Sequence, residues 1–273
     1  MSPPASVFDG DILAALDPVR LAERAGLTLD PWQVAALRSR APRALWCAAR
    51  QTGKSTLAGL AAVHQAVYVP DSLVLLVAPA LRQSQEGMQK VAQLYAATGR
   101  PVPADVENRL TLELANGSRI VCLPGAERTT RGFSRPALVV LDEASRIDDA
   151  LFHAITPMLS TRPDGRLLAI STPNGQLGWW HAAWVEGGDL WERVKVTAYE
   201  CPRISPQFLE TERASMPASV FAQEYECTFA QVEDGAFRAE DVYAMLSDDV
   251  APRFPQPAPS PPPPPVDLSA YLS

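Results

Sequence analysis

The chain has 273 residues, 47% of them apolar and 20% charged, with a formal net charge of −7. These values fit one large globular domain with room for a tail. No apolar run approaches a membrane span, and the N-terminus lacks the basic-then-apolar layout of a signal peptide, so a cytosolic protein is expected rather than a membrane or secreted one.

Residues 1–26 read as an N-terminal segment in which an amphipathic helical stretch runs from residue 12 through residue 22. A second helix is expected from Pro31, a favoured first-turn residue. The strand-like Leu45-Trp46-Cys47 then runs into Ala48-Ala49-Arg50-Gln51-Thr52-Gly53-Lys54-Ser55. The phosphate-binding pattern G-x-x-x-x-G-K-[ST] uses backbone N–H groups and a lysine to cradle phosphates, and a hydroxyl to hold Mg²⁺. Gly53, Lys54 and Ser55 match it, while Ala48 stands where the first glycine is usual. A small-residue helix after Ser55 would turn its N-terminus toward the anion. Lysine is scarce, only Lys54, Lys90 and Lys195 occurring, yet one fills this slot.

A strand over residues 72–77 and a helix over 81–98 follow. A hairpin then pairs 110–114 with 118–122 through Asn116-Gly117. The separation of 88 residues between Lys54 and Asp142 leaves room for this extra βα unit. Leu138-Val139-Val140-Leu141 ends in Asp142-Glu143, placing two acids at the carboxyl edge of a parallel sheet, where phosphate loops also sit. The first acid suits Mg²⁺, and the second suits polarising an attacking water. Leu167-Leu168-Ala169-Ile170 likewise ends in Ser171-Thr172-Pro173-Asn174. Each motif has a plainer reading by itself: a glycine turn before a helix, acids capping a strand, polar turn residues. Their combination points to a P-loop nucleotide hydrolase.

Further on, a helix over residues 149–160 broken near Pro157, a tryptophan-rich helical segment over 178–184, a strand over 191–196 and helices over 206–216 and 217–229 are expected. The tryptophan-rich segment reads first as a helix packed beside the sheet and second as a binding face. The four cysteines, Cys47, Cys122, Cys201 and Cys227, are scattered without metal-ligand spacing and read as reduced, mostly buried thiols. The last 43 residues carry seven acids and two arginines, leaving the remainder close to neutral, so composition lends no support to a nucleic-acid partner. From Ala251 the run of prolines favours an extended, disordered tail.

Taken in order, the motifs resemble the ATPase domain of the large terminase subunit, the motor that packages DNA into viral procapsids, over residues 27–235. Leu29-Asp30-Pro31-Trp32-Gln33 looks like that family's adenine-recognising element. Arg50-Gln51-Thr52-Gly53-Lys54-Ser55 looks like its P-loop, which tolerates a missing first glycine. Arg131-Gly132, Leu141-Asp142-Glu143-Ala144 and Ser171-Thr172-Pro173-Asn174-Gly175 follow in the family's order, and residues 221–229 resemble the stretch that closes the domain.

The resemblance implies an α/β P-loop NTPase of the ASCE type, with a mainly parallel central sheet and helices on both faces. It also implies ATP and Mg²⁺ as cofactors. Gln33 would bond adenine, with Trp32 packed nearby or merely buried at a helix start. Gly53, Lys54, Ser55 and Thr56 would hold the nucleotide, Ser55 and Asp142 the metal, and Glu143 would be the catalytic carboxylate. Ser171, Thr172 and Asn174 would couple hydrolysis to movement. The arginine finger falls to Arg50 within the loop or to Arg131 across a subunit boundary, Arg131 having the alternative of a solvated or DNA-phosphate contact. The implied partners are double-stranded DNA, a portal protein, a small terminase subunit and further copies in a ring, in the host cytoplasm and transiently at the procapsid. Residues 236–273 would form an acidic, proline-rich tail without the strands a two-metal nuclease needs, so the nuclease domain is expected to be absent. A helicase-like or repair ATPase and an inactive prophage-derived remnant are the rival readings.

Overall fold

Several strands carry runs of four or more consecutive apolar residues, which a β-strand tolerates only when both faces of its sheet are covered. In the computed structural model, which describes residues 5–125 and 132–230 (5–10 as backbone alone), these strands form the centre of an eight-stranded sheet. They are β1 (Arg43–Ala48), β2 (Leu73–Ala78), β6 (Leu138–Asp142) and β7 (Arg166–Ser171). The others are β3 (Ala104–Glu107), β4 (Thr111–Leu114), β5 (Arg119–Pro124) and β8 (Glu192–Val196). The sheet order is β3-β4-β5-β2-β6-β7-β1-β8. Every neighbouring pair is parallel except the two made by β4. Strands β6 and β7 therefore insert between β1 and β2, and β7 separates the phosphate-loop strand from the acidic strand.

Side-chain alternation divides the core in two. Trp46, Val74, Leu76, Val140, Leu168 and Ile170 point to one face, where they meet α4 (Lys54–Tyr68) and α5 (Leu81–Ala97). Leu45, Cys47, Leu75, Val77, Val139, Leu141 and Ala169 point to the other. That face is covered by α6 (Asp149–Ile155), α7 (Gly178–Val185), α8 (Pro206–Ser215) and α9 (Ala218–Tyr225). Burying each large apolar side chain contributes roughly 1.5–3 kcal/mol. All four cysteines are buried free thiols. In α7, Trp179 and Trp180 are buried, Phe152 stacks on Trp179 at 4.0 Å and the Trp179 indole donates to the Ile147 carbonyl at 2.8 Å, so this helix is a packed one.

Two local features differ from the sequence reading. The N-terminal stretch is two helices, α1 (Ala5–Leu16) and α2 (Pro18–Arg24), because Asp17 caps the Val19 N–H and Pro18 takes the first position of a new helix. Ala14, Leu21 and Ala22 join the α4-side core, and the buried His64 ring on α4 contacts the Ala14 carbonyl at 3.0 Å. Strand β3 carried no strand signal. It is a four-residue edge strand, mostly exposed and acidic, the composition that keeps a sheet edge from pairing with another chain. Among the described residues no helix is long and apolar enough to cross a membrane. Arg131 and the segment 236–273 lie outside the described residues.

The Asn116-Gly117 turn between β4 and β5 is held at both ends. The Asn116 amide donates to the Ala66 carbonyl at 2.9 Å, and its oxygen accepts from the Ser118 N–H at 3.0 Å. Gly117 has φ +81, and a Cβ there would collide with the Asp71 carboxylate. Gly117→Ala is expected to lower stability by about 1–2 kcal/mol, the cost of a left-handed conformation with a side chain. A urea midpoint unchanged from the parent would contradict this.

Candidate nucleotide site

The register of the central strands sets the site. Cys47 of β1 is level with Ser171 of β7, and Ile170 of β7 is level with Asp142 of β6. The phosphate loop, the serine-threonine pair and the acidic pair thus leave the same carboxyl edge side by side. Ala48 is the last residue of β1 and fully buried. The loop that follows turns through two left-handed residues, Gln51 at φ 61 and Gly53 at φ 87. Glycine suits the second position because L side chains rarely adopt that φ. Thr52 braces the bend by donating its hydroxyl to the Ala49 carbonyl at 2.8 Å. Helix α4 starts at Lys54, so its unpaired N–H groups open onto the loop, and Lys54 is itself buried.

Across the loop, the Ser55 hydroxyl donates to Asp142 Oδ1 at 3.3 Å, and the Glu143 N–H donates to the same oxygen at 3.0 Å. Burial pushes the Asp142 carboxyl above its ordinary pKa; the neighbouring Glu143 charge adds to this, and Lys54 opposes it. A carboxylate destabilised by burial and a like charge, one hydroxyl away from a phosphate loop, is a fitting ligand for a divalent cation. Magnesium is commonly held by one or two carboxylates together with substrate phosphates. No cluster of three or more His, Cys, Asp or Glu suited to a metal occurs among the described residues. The candidate ion position rests on the meeting of Ser55 and Asp142.

Glu143 has φ 52 and ψ 44, a left-handed conformation. A residue held there costs of order 1–3 kcal/mol and persists only where its surroundings enforce it. Ser145 supplies part of that enforcement. Its N–H and hydroxyl bond the Ser171 hydroxyl at 3.2 and 2.7 Å, and its carbonyl accepts from Asn174 at 3.5 Å. Ser171 and Thr172 are buried. The structure thereby joins the acidic turn to the end of β7. From there Gly175 donates to Gln223 of α9 at 3.3 Å.

Helix α9 also reaches the phosphate loop. The Arg50 N–H donates to the Glu224 carbonyl at 3.1 Å, and the Arg50 guanidinium forms a forked ion pair with the Glu224 carboxylate at 2.7 and 3.1 Å. This pair is one-sided in exposure, 59% for Arg50 and 11% for Glu224. Gln33 sits in a capping box at the start of α3 (Pro31–Arg38): its oxygen accepts from the Asp30 N–H at 2.9 Å and its amide donates to the Thr52 carbonyl at 3.1 Å. A cavity of about 200 Å³ opens beside it, lined by Leu27, Leu29, Leu57 and Leu60 with Thr56, Gly53 and Arg203. Trp32 packs into the α4-side core.

The sequence reading missed Arg203, Ser145 and Glu224 as parts of this constellation. Arg203 lies in a loop after β8 with no motif around it, and its partner Asp30 is 173 positions away. Ser145 carried a signal in lying two residues past the acidic pair. Glu224 falls inside the stretch over 221–229 that closes the domain.

The profile of the family described as terminase large subunit, T4-like-virus type, N-terminal, matches residues 45–243. The chain belongs to this family. The large terminase subunit of Thermus virus P23-45 is 30% identical over 255 residues, covering 78% of this chain and 51% of the relative. That of Escherichia phage T5 is 27% identical over 198 residues, covering 70% and 44%. The solved ATPase domain of the Thermus phage P74-26 large terminase aligns with a TM-score of 0.68 at 24% identity, covering 77% of this chain and 97% of that domain. The large terminase of a thermophilic bacteriophage, solved in complex with ADP, aligns with a TM-score of 0.64 at 11% identity, covering 74% and 54%. The chain spans about half the length of the curated relatives it matches.

In this terminase domain the Asp142 carboxyl has a testable thermodynamic signature. Its pKa is higher in the fold than in the unfolded chain, so the stability it contributes is present below the ordinary carboxylate pKa and is lost as pH rises through the raised value. At neutral pH the nucleotide-free protein bears that loss. Asp142→Asn mimics the protonated form and keeps an acceptor for Ser55. It is expected to raise the Tm of the nucleotide-free protein, because the amide carries no charge for burial and Glu143 to disfavour. A lowered Tm in a thermal scan at pH ~7.5 would show that burial does not disfavour the charge.

Proposed function

We propose that this domain binds ATP with Mg²⁺ and hydrolyses it, and that this hydrolysis drives double-stranded DNA into a viral procapsid. The observation that carries the reading is the meeting of Ser55 and Asp142 at 3.3 Å with Glu143 next in the chain. A phosphate-loop hydroxyl, a metal-binding carboxylate and a water-activating carboxylate are the three groups such chemistry requires at one point. Membership of the terminase family supports packaging as its use, and the thermophilic-phage terminase of like fold holds ADP.

In this reading Lys54 and the N–H groups at the start of α4 bind the β and γ phosphates, with Thr56 beside them. Ser55 and Asp142 hold Mg²⁺, which supplies charge neutralisation on the phosphate oxygens. Glu143 orients water and accepts its proton. The left-handed turn at Glu143 changes the chain direction directly after Asp142, and the Glu143 N–H bonds the Asp142 carboxylate. Gln33 binds adenine in the leucine-lined cavity. Arg50 is one candidate for the finger, and a γ-phosphate would compete with Glu224 for its guanidinium; Arg131 is the other. Ser171 and Asn174, which bond Ser145, together with the buried Thr172 carry a change at Glu143 to α9. Double-stranded DNA, a portal protein, a small terminase subunit and further copies in a ring complete the assembly, which works in the host cytoplasm at the procapsid.

Glu143→Gln is expected to retain ATP binding while slowing phosphate release at least about a hundredfold, the usual contribution of a positioned base. Lys54→Ala should lose binding and hydrolysis together. Release by Glu143→Gln at the parent rate would remove Glu143 from the catalytic role.

A further inference from the structure

Thr52 is fully buried, and its carbonyl accepts from two side chains, Gln33 Nε2 at 3.1 Å and Arg203 Nη2 at 3.1 Å. Arg203 also donates Nη1 to Asp30 Oδ1 at 2.9 Å, and its Nη2 lies 2.9 Å from Asp30 Oδ2. One guanidinium therefore fastens the start of α3, the bend of the phosphate loop and the segment after β8. It lines the same cavity as Gln33 and Gly53.

From this geometry we infer that Arg203 is the positioning residue that releases Gln33 to read the base. The inference rests on the nucleotide-site reading above. A buried carbonyl left without a donor loses far more than an ordinary hydrogen bond contributes. Were Gln33 the sole donor to Thr52, turning its amide toward a nucleobase would orphan that carbonyl and so oppose base recognition. With Arg203 in place the carbonyl stays satisfied while Gln33 moves. Nη2 reaches both Asp30 and Thr52 and Nη1 reaches Asp30, so the guanidinium is anchored on the protein side of the cavity. Its forked geometry suits this use, since one planar group meets a carboxylate and a carbonyl at once. Asp30, largely buried, holds the guanidinium in place.

The role predicts a particular kinetic pattern. Arg203→Ala should raise KM for ATP about tenfold, the scale of one uncompensated buried acceptor, while kcat stays near the parent value. It should also reduce the preference for ATP over GTP, as Gln33→Ala does. The double variant Gln33→Ala/Arg203→Ala should lose no more ATP-over-GTP preference than Gln33→Ala, because the two residues act on one step, while its melting temperature falls because both side-chain donors to the Thr52 carbonyl are gone. Arg203→Lys, which keeps a donor for Thr52, should recover part of the base preference. The experiment is a double-mutant cycle on kcat/KM for ATP and GTP, with thermal melting of each variant as a folding control. Additive losses of ATP-over-GTP preference, or an Arg203→Ala protein with that preference unchanged, would overturn the inference. A parent protein that hydrolyses no nucleotide would instead overturn the underlying reading of the site.

Discussion

Everything at the site depends on the parallel register of β1, β7 and β6. Because Cys47 is level with Ser171 and Ile170 with Asp142, three motifs far apart in sequence end at one height on one edge. A slip of one residue in either pairing would turn the side chains to the opposite faces of the sheet. Asp142 would then leave Ser55. The register is protected because both faces are covered by separate apolar cores, so a slipped strand would have to exchange its whole set of contacts. The stability of the sheet and the geometry of the nucleotide site have the same origin.

On this frame the polar groups form a connected circuit. The left-handed turn at Glu143 is held through Ser145 to Ser171 and Asn174, the next loop reaches Gln223 at Gly175, and Glu224 returns to the phosphate loop at Arg50. Strain at Glu143 is sustained by bonds from Ser145 to the neighbouring strand end. Helix α9 bonds both the phosphate loop, through Glu224, and the loop after β7, through Gln223.

Much of the fold was legible because its signals are local. Strands apolar on both faces announce a covered parallel sheet, Asn116-Gly117 announces a hairpin, and polar residues after apolar runs mark the working edge. The break at Asp17-Pro18 was also local, yet the apolar pattern ran through it and hid the cap. Edge strand β3 was illegible because its role is to be unattractive as a strand. Arg203 with Asp30, and Arg50 with Glu224, were illegible for another reason: each pair is more than 170 positions apart in sequence, and no periodicity encodes a contact made only by the folded chain. The candidate site was visible as motifs, whereas the residues that brace those motifs were not.

The central claim is that this edge is a working ATP hydrolysis site. Single-turnover phosphate release, with protein in excess over ATP, tests it most directly. Release is expected to require Mg²⁺ and to stop when the metal is chelated. Tight nucleotide binding with no release above the uncatalysed background, at any Mg²⁺ concentration, would contradict it.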